Sequence, residues 1–137
     1  MKSNERAPVL PRLIAIEESF PDGLPPDVCA SEYRRFTAVL ENEQPVTVVE
    51  HAIQLDRVYD IAHSLALSIR RRRYYAHVVL SADHLIVIFP SCVVDLHRGI
   101  AEEREVAHML GHRLGVPASE MRFDEMFDVD HPDLEVS

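Results

Sequence analysis

The chain has 137 residues, 47% of them apolar, and a formal net charge of −9. That length and apolar content suit one domain with an ordinary core and argue against a largely disordered chain. The acid excess argues against a general nucleic-acid surface, which needs net positive charge to displace counterions.

The acidity sits at the ends. Residues 1–45 carry 5 basic and 8 acidic groups, residues 46–115 carry 8 of each, and residues 116–137 carry 1 and 7. No apolar run approaches the ~18 residues of a membrane-spanning helix. The opening MKSNERAPVLP lacks the apolar centre of a secretion signal, so a cytoplasmic location is expected, with Cys29 and Cys92 as free thiols.

Residues 1–45 read as an N-terminal arm and helix. Five prolines between Pro8 and Pro26 leave only Leu13 to Ile16 as a strand, and the spacing of Val28, Tyr33, Phe36, Val39 and Leu40 predicts a helix from Pro26 to about Glu43. Residues 46–127 form the expected core domain. Val46 to Ile53 is β-branched and reads as a strand. Leu55, Val58, Ala62, Leu65 and Ile69 then recur at three and four, predicting a helix from Leu55 to Arg72.

Tyr74 to Pro90, YYAHVVLSADHLIVIFP, has the pattern of a β-hairpin turning at Ala82–Asp83. A regular ladder sets Ser81 opposite His84, Val79 opposite Ile86 and His77 opposite Ile88. One face then carries Ala76, Val78, Leu80, Leu85, Val87 and Phe89, and the other carries Tyr75, His77 and His84. Asp95 to Leu114 is predicted helical, stopped by Gly115 and Pro117, and the alternation from Met121 to Phe127 predicts a last strand. Residues 128–137 read as an acidic tail.

The resulting order, βαββαβ, predicts an α+β domain of ferredoxin-like type, with a proline-rich arm and an extra helix added at its N-terminus. Both core helices would cover one sheet face and leave the other open. His51, Tyr75, His77 and His84 would lie on that open face and form the candidate binding site. The expected function is a small regulatory or partner-binding protein that associates through this face with a protein partner or as a homodimer. No cofactor, nucleic acid or membrane partner is expected. The rival readings are a small enzyme using a histidine of that face as acid and base, and a metal-binding protein.

Other motifs carry weaker signals. His108 and His112 have the helical spacing of a two-histidine zinc motif, but Met109 stands where the catalytic motif needs Glu. Arg70, Arg71, Arg72 and Arg73 could grip an anion, or could simply complement a helix C-terminus. Cys92 and Arg98 match a C-x5-R phosphate loop in spacing, yet Val93, Val94 and Leu96 are too bulky for a backbone cradle. LGHRLGVPASEMR invites a helix-turn-helix reading that the acidic residues after it oppose.

Overall fold

The computed structural model describes residues 10–40 and 42–128. It is an α+β structure built on one six-stranded sheet. β1 is Arg12–Ile16, β2 Glu32–Val39, β3 Pro45–Ala52, β4 Ala76–Ser81, β5 His84–Phe89 and β6 Cys92–His97. The helices are α1 (Pro26–Cys29), α2 (Val58–Ser68), α3 (Ala101–Arg113) and α4 (Phe123–Met126). None among the described residues is long and apolar enough to cross a membrane.

The strand order is β2-β3-β1-β4-β5-β6, and every neighbouring pair is antiparallel. This differs from the expected ferredoxin-like arrangement. β3, α2, β4 and β5 follow the predicted succession, but β1 is inserted between β3 and β4, which therefore run parallel without touching. Leu13, Ile14 and Ala15 of β1 are all buried, because an interior strand has both faces covered.

Three further expectations are corrected. The helix read from Pro26 to Glu43 is only α1, one turn long, followed by β2. Phe36, Thr37 and Val39 are good strand residues, and pairing with β3 over Glu32 to Val39 outweighs their partial helical spacing. The helix read from Asp95 begins only at Ala101. A two-residue turn at Pro90–Ser91, with Ser91 at φ +64°, folds Cys92–His97 back on β5 as β6. The last predicted strand is instead a short 3-10 turn, Ala118–Glu120, and α4. Phe123, Met126 and Phe127 bury one face at spacings of three and four, so the helical period wins over the apparent alternation. Beyond Asp128, the expected acidic tail lies outside the described residues.

The hairpin turns at Ala82–Asp83 as expected, with Ser81 opposite His84. Its register then slips. Leu80 is the extra residue of a bulge, so that Val79 faces Leu85, Val78 faces Ile86, His77 faces Val87 and Ala76 faces Ile88. One residue of slip exchanges faces along a whole strand. Ala76 and Val78 therefore join Ile86 and Ile88 beneath α2, whereas His77 and Val79 share the other face with Leu85, Val87 and Phe89.

Both faces carry helices, so neither is the wholly open side expected of the sheet, although part of β1, β2 and β3 stays bare on the α3 side. One core packs Val28 of α1 and Val58, Ile61, Ala62 and Leu65 of α2 against Leu13, Ala15, Val49, Val78 and Ile86. The other packs Ala107 of α3 with Met121, Phe123 and Met126 against Ile14, Val48, Val79, Val87, Phe89 and Leu96. Phe89 and Phe123 are among the largest fully buried side chains, each contributing about 2–3 kcal/mol by burial.

Gly111 makes the second core possible. A Cβ there would stand 2.2 Å from the Met121 sulfur and 3.4 Å from the Phe89 ring. Gly111→Val is expected to lose about 2 kcal/mol or more despite its better helix propensity, because overpacking outweighs the propensity gain. Urea unfolding measures it, and an unchanged midpoint would contradict this packing.

Candidate functional site

A cavity of about 260 Å³ opens on the α3 side of the sheet, where the helices leave part of β1, β2 and β3 uncovered. Its apolar walls come from Ile14 and Ile16 of β1, Ala38 of β2, Val46 and Val48 of β3, and Met126 of α4. Tyr75, His77, Glu120 and Arg122 supply the polar groups. Strand alternation places them together: Ile14 pairs with Glu50 on one side and with His77 on the other, so these three side chains stand in one row across the sheet.

Tyr75 and His77, two of the four predicted site residues, thus meet at one cavity. His77 is only 2% exposed. The Tyr75 hydroxyl donates to the Glu120 carbonyl and its ring packs edge-on against Phe123 at 5.5 Å, tying the C-terminal segment over the sheet. The charges at the cavity are compensated locally. Arg73 meets Glu120 at 3.2 Å, and Arg122 holds Glu125 at 2.7 and 2.9 Å. On the same row Glu50, fully buried, accepts from the Tyr33 hydroxyl at 3.0 Å and lies 3.7 Å from Arg34.

His51 and His84 are on the opposite face. His51 pairs with Leu13 and Glu32 and is 1% exposed beneath α1. Its Nδ1–H donates to the Val28 carbonyl at 2.7 Å, and its buried Nε2 has no hydrogen-bond partner among the described residues. Burial pushes the imidazole below its ordinary pKa, outweighing the opposing effect of the Val28 bond. His51 is therefore a neutral core residue that anchors α1 to β3.

His84 belongs to a cluster at the far end of the sheet. Its Nε2 meets Asp95 Oδ1 at 2.7 Å, and the Tyr59 hydroxyl donates to the same oxygen at 2.6 Å. The His84 ring stacks on His97 at 4.3 Å, and His97 Nδ1 meets the Glu103 carboxylate at 3.1 Å. Burial works against ionisation of Asp95, but the bonds from Tyr59 and His84 prevail and hold it below the usual carboxylate range. Accepting that bond, Asp95 pushes the Tyr59 phenol up to about 12.

The weaker candidates disperse. Arg70 donates to the Glu18 carbonyl at 3.0 Å, Arg71 to Ser91 at 3.3 Å and Arg73 to Glu120, while Arg72 lies beside Gly115. The arginine run pins a loop to separate segments and presents no common anion grip. The His108 ring packs edge-on against Phe123 at 5.1 Å, and His112 is exposed. Among the described residues, no group of three or more His, Cys, Asp or Glu side chains is arranged to hold a metal ion. Cys92 and Arg98 bracket an extended strand and stand roughly 20 Å apart, so their spacing forms no phosphate loop. After α3 the described residues form only a 3-10 turn and one helical turn, too little for a recognition helix.

Glu120, Arg122 and Met126 escaped sequence reasoning because their segment reads as a strand in isolation. The Tyr59–Asp95 pair spans 36 residues and has no local signature. No protein-family model matches the chain, and neither a curated protein nor a solved structure matches it.

The sign of the pH response follows from these shifts. His51 titrates lower folded than unfolded, so its contribution is present above pH ~6.5 and is lost as pH falls through the folded value. Its ring is expected to stay neutral well below pH ~6.5, read from imidazole nitrogen shifts; protonation at that pH would contradict its burial. For Tyr59 the folded value is the higher one. The contribution is complete below pH ~10 and disappears as pH rises through about 12. Tyr59→Phe should therefore flatten the alkaline limb of the stability profile.

Proposed function

We propose that this chain is a binding protein whose ligand is a small, mainly apolar, uncharged molecule held in the cavity beside Tyr75 and His77. The observation that carries the reading is the convergence of Tyr75 and His77 on an apolar cavity of about 260 Å³. Concave, apolar sites with a few placed polar groups are the usual form of small-molecule sites. The volume lies just under the ~300–1,000 Å³ of drug-sized pockets, which favours a compact ligand.

The electrostatics support the ligand class. Glu120 and Arg122 are each held by an opposite charge, so an ionic ligand would have to break an ion pair on entry. A neutral molecule with one hydrogen-bonding group meets no such cost, and His77 or Tyr75 can orient that group. Binding is favoured over histidine acid–base chemistry because His77 faces the cavity while His51 and His84 lie across the sheet.

A panel of small neutral aromatics, including toluene, indole and phenol, tests this by two-dimensional NMR of the whole chain. Binding should move the amides of Ile14, Val48 and His77 together. Ala38→Phe, which fills the cavity from β2, should abolish the shifts while leaving the remaining spectrum folded. Shifts that persist in Ala38→Phe, or that map to the α2 face, would overturn the reading.

A further inference from the structure

The two edges of the sheet are built differently. β2 is closed to strand pairing by a bulge between Glu32 and Arg34, and by the charges of Glu32, Arg34 and Arg35 along it. Such devices protect edges from pairing. β6, CVVDLH, has no bulge and a single carboxylate, Asp95, already held by Tyr59 and His84: it pairs with β5 in unbroken register from Cys92 to His97.

Its outward backbone groups can be identified. The His97 N–H donates to Glu103 at 2.6 Å rather than to β5, so His97, Asp95 and Val93 direct N–H and C=O away from the sheet. The ends of this row are occupied within the chain: Ser91 N–H donates to the Ala66 carbonyl at 2.7 Å, and the His97 carbonyl accepts from Ile100 at 3.1 Å. Between them, Val93 and Asp95 have no outward backbone partner among the described residues.

Apolar side chains flank this short row on both faces. Leu67 of α2, 81% exposed, lines a depression with His63, Cys92 and Val93. On α3, Arg104 and His108 face the C-terminal segment, so Glu103, Val106 and Leu110 mark the side toward β6. Val106 is 45% exposed.

The edge is also polar along its length. Arg71, bound to Ser91, and Arg113 in the last turn of α3 stand at the Cys92 end, since Gly111 of that helix abuts Phe89. Asp95, Glu102 and Glu103 stand at the His97 end. An antiparallel copy of the same edge brings basic end against acidic end.

We infer that β6 is the pairing edge for a second copy of this chain, joined antiparallel about a two-fold axis at Val94. Val93 of each copy then stands opposite Asp95 of the other, and the outward N–H and C=O groups of both residues are satisfied. Val94, in a non-hydrogen-bonded position, meets its own counterpart. The interface is isologous, as two-fold dimers require, and joins the two sheets into one. It uses neither the cavity nor any residue lining it.

Sedimentation velocity of the full chain over a wide concentration range tests this, together with amide exchange. The wild-type chain should form a reversible dimer, and the Val93 and Asp95 amides should become protected as concentration rises. The Val94 amide, already paired with Val87, should be protected throughout. Val93→Pro removes an outward donor and spares the β5 ladder; Leu67→Glu alters an exposed helix position outside both cores. Each should weaken dimerisation by roughly tenfold or more, the scale of losing a central interface contact, with unchanged circular dichroism. A chain monomeric at every concentration would overturn the inference, as would a dimer that Val93→Pro and Leu67→Glu leave intact.

Discussion

The structure depends on the insertion of β1 between β3 and β4. This five-residue strand pairs along its whole length with β3 and over Arg12 to Ile14 with β4. β3 and β4 run parallel, and the α2 crossover between them leaves a gap one strand wide. Filling it antiparallel satisfies the backbone groups of both neighbours and supplies side chains to both cores. Leu13 and Ala15 go to the α2 side, while Ile14 goes to the α3 side. Ile14 and Ile16 also floor the cavity, so the same strand that closes the sheet defines the candidate site.

The bulge at Leu80 sets what reaches that site. It preserves the Ser81–His84 pair at the turn and shifts every pair beyond it by one residue. His84, on the turn side of the bulge, keeps the α2 face and meets Tyr59, Asp95 and His97. His77, beyond it, is turned to the other face and lines the cavity. Of the histidines expected to share one surface, His77 stands across the sheet from His51 and His84, and each has a different setting: His51 as a neutral anchor, His77 as a cavity wall, His84 hydrogen-bonded to Asp95.

What could be read locally was read from strong periodicity. α2 and the β4–β5 hairpin are visible because one has a wide apolar stripe and the other two β-rich runs around a short turn. β2 and the segment from Met121 to Phe127 were misread because their apolar spacing fits more than one period, and pairing or burial chose between them. The second half of β6, from Asp95, reads as the start of a helix because Pro90–Ser91 is a weak turn signal, although Ser91 takes the left-handed conformation there. Tyr75 and His77, expected on one face from the hairpin pattern, both line the cavity, but the side chains that complete it come from β1, β2, β3 and the C-terminal segment.

The sequence by itself determined the α+β class, the α2 helix, the hairpin and its turn, since these rest on side-chain period and turn chemistry within a few residues. Only the tertiary structure decided the strand order, the faces of the hairpin and the covering of both sides of the sheet. A strand's neighbours and its register depend on contacts far apart in the chain, and one inserted residue reverses every side chain beyond it. The sequence therefore named two of the residues at the cavity, and long-range pairing decided which other side chains stand beside them.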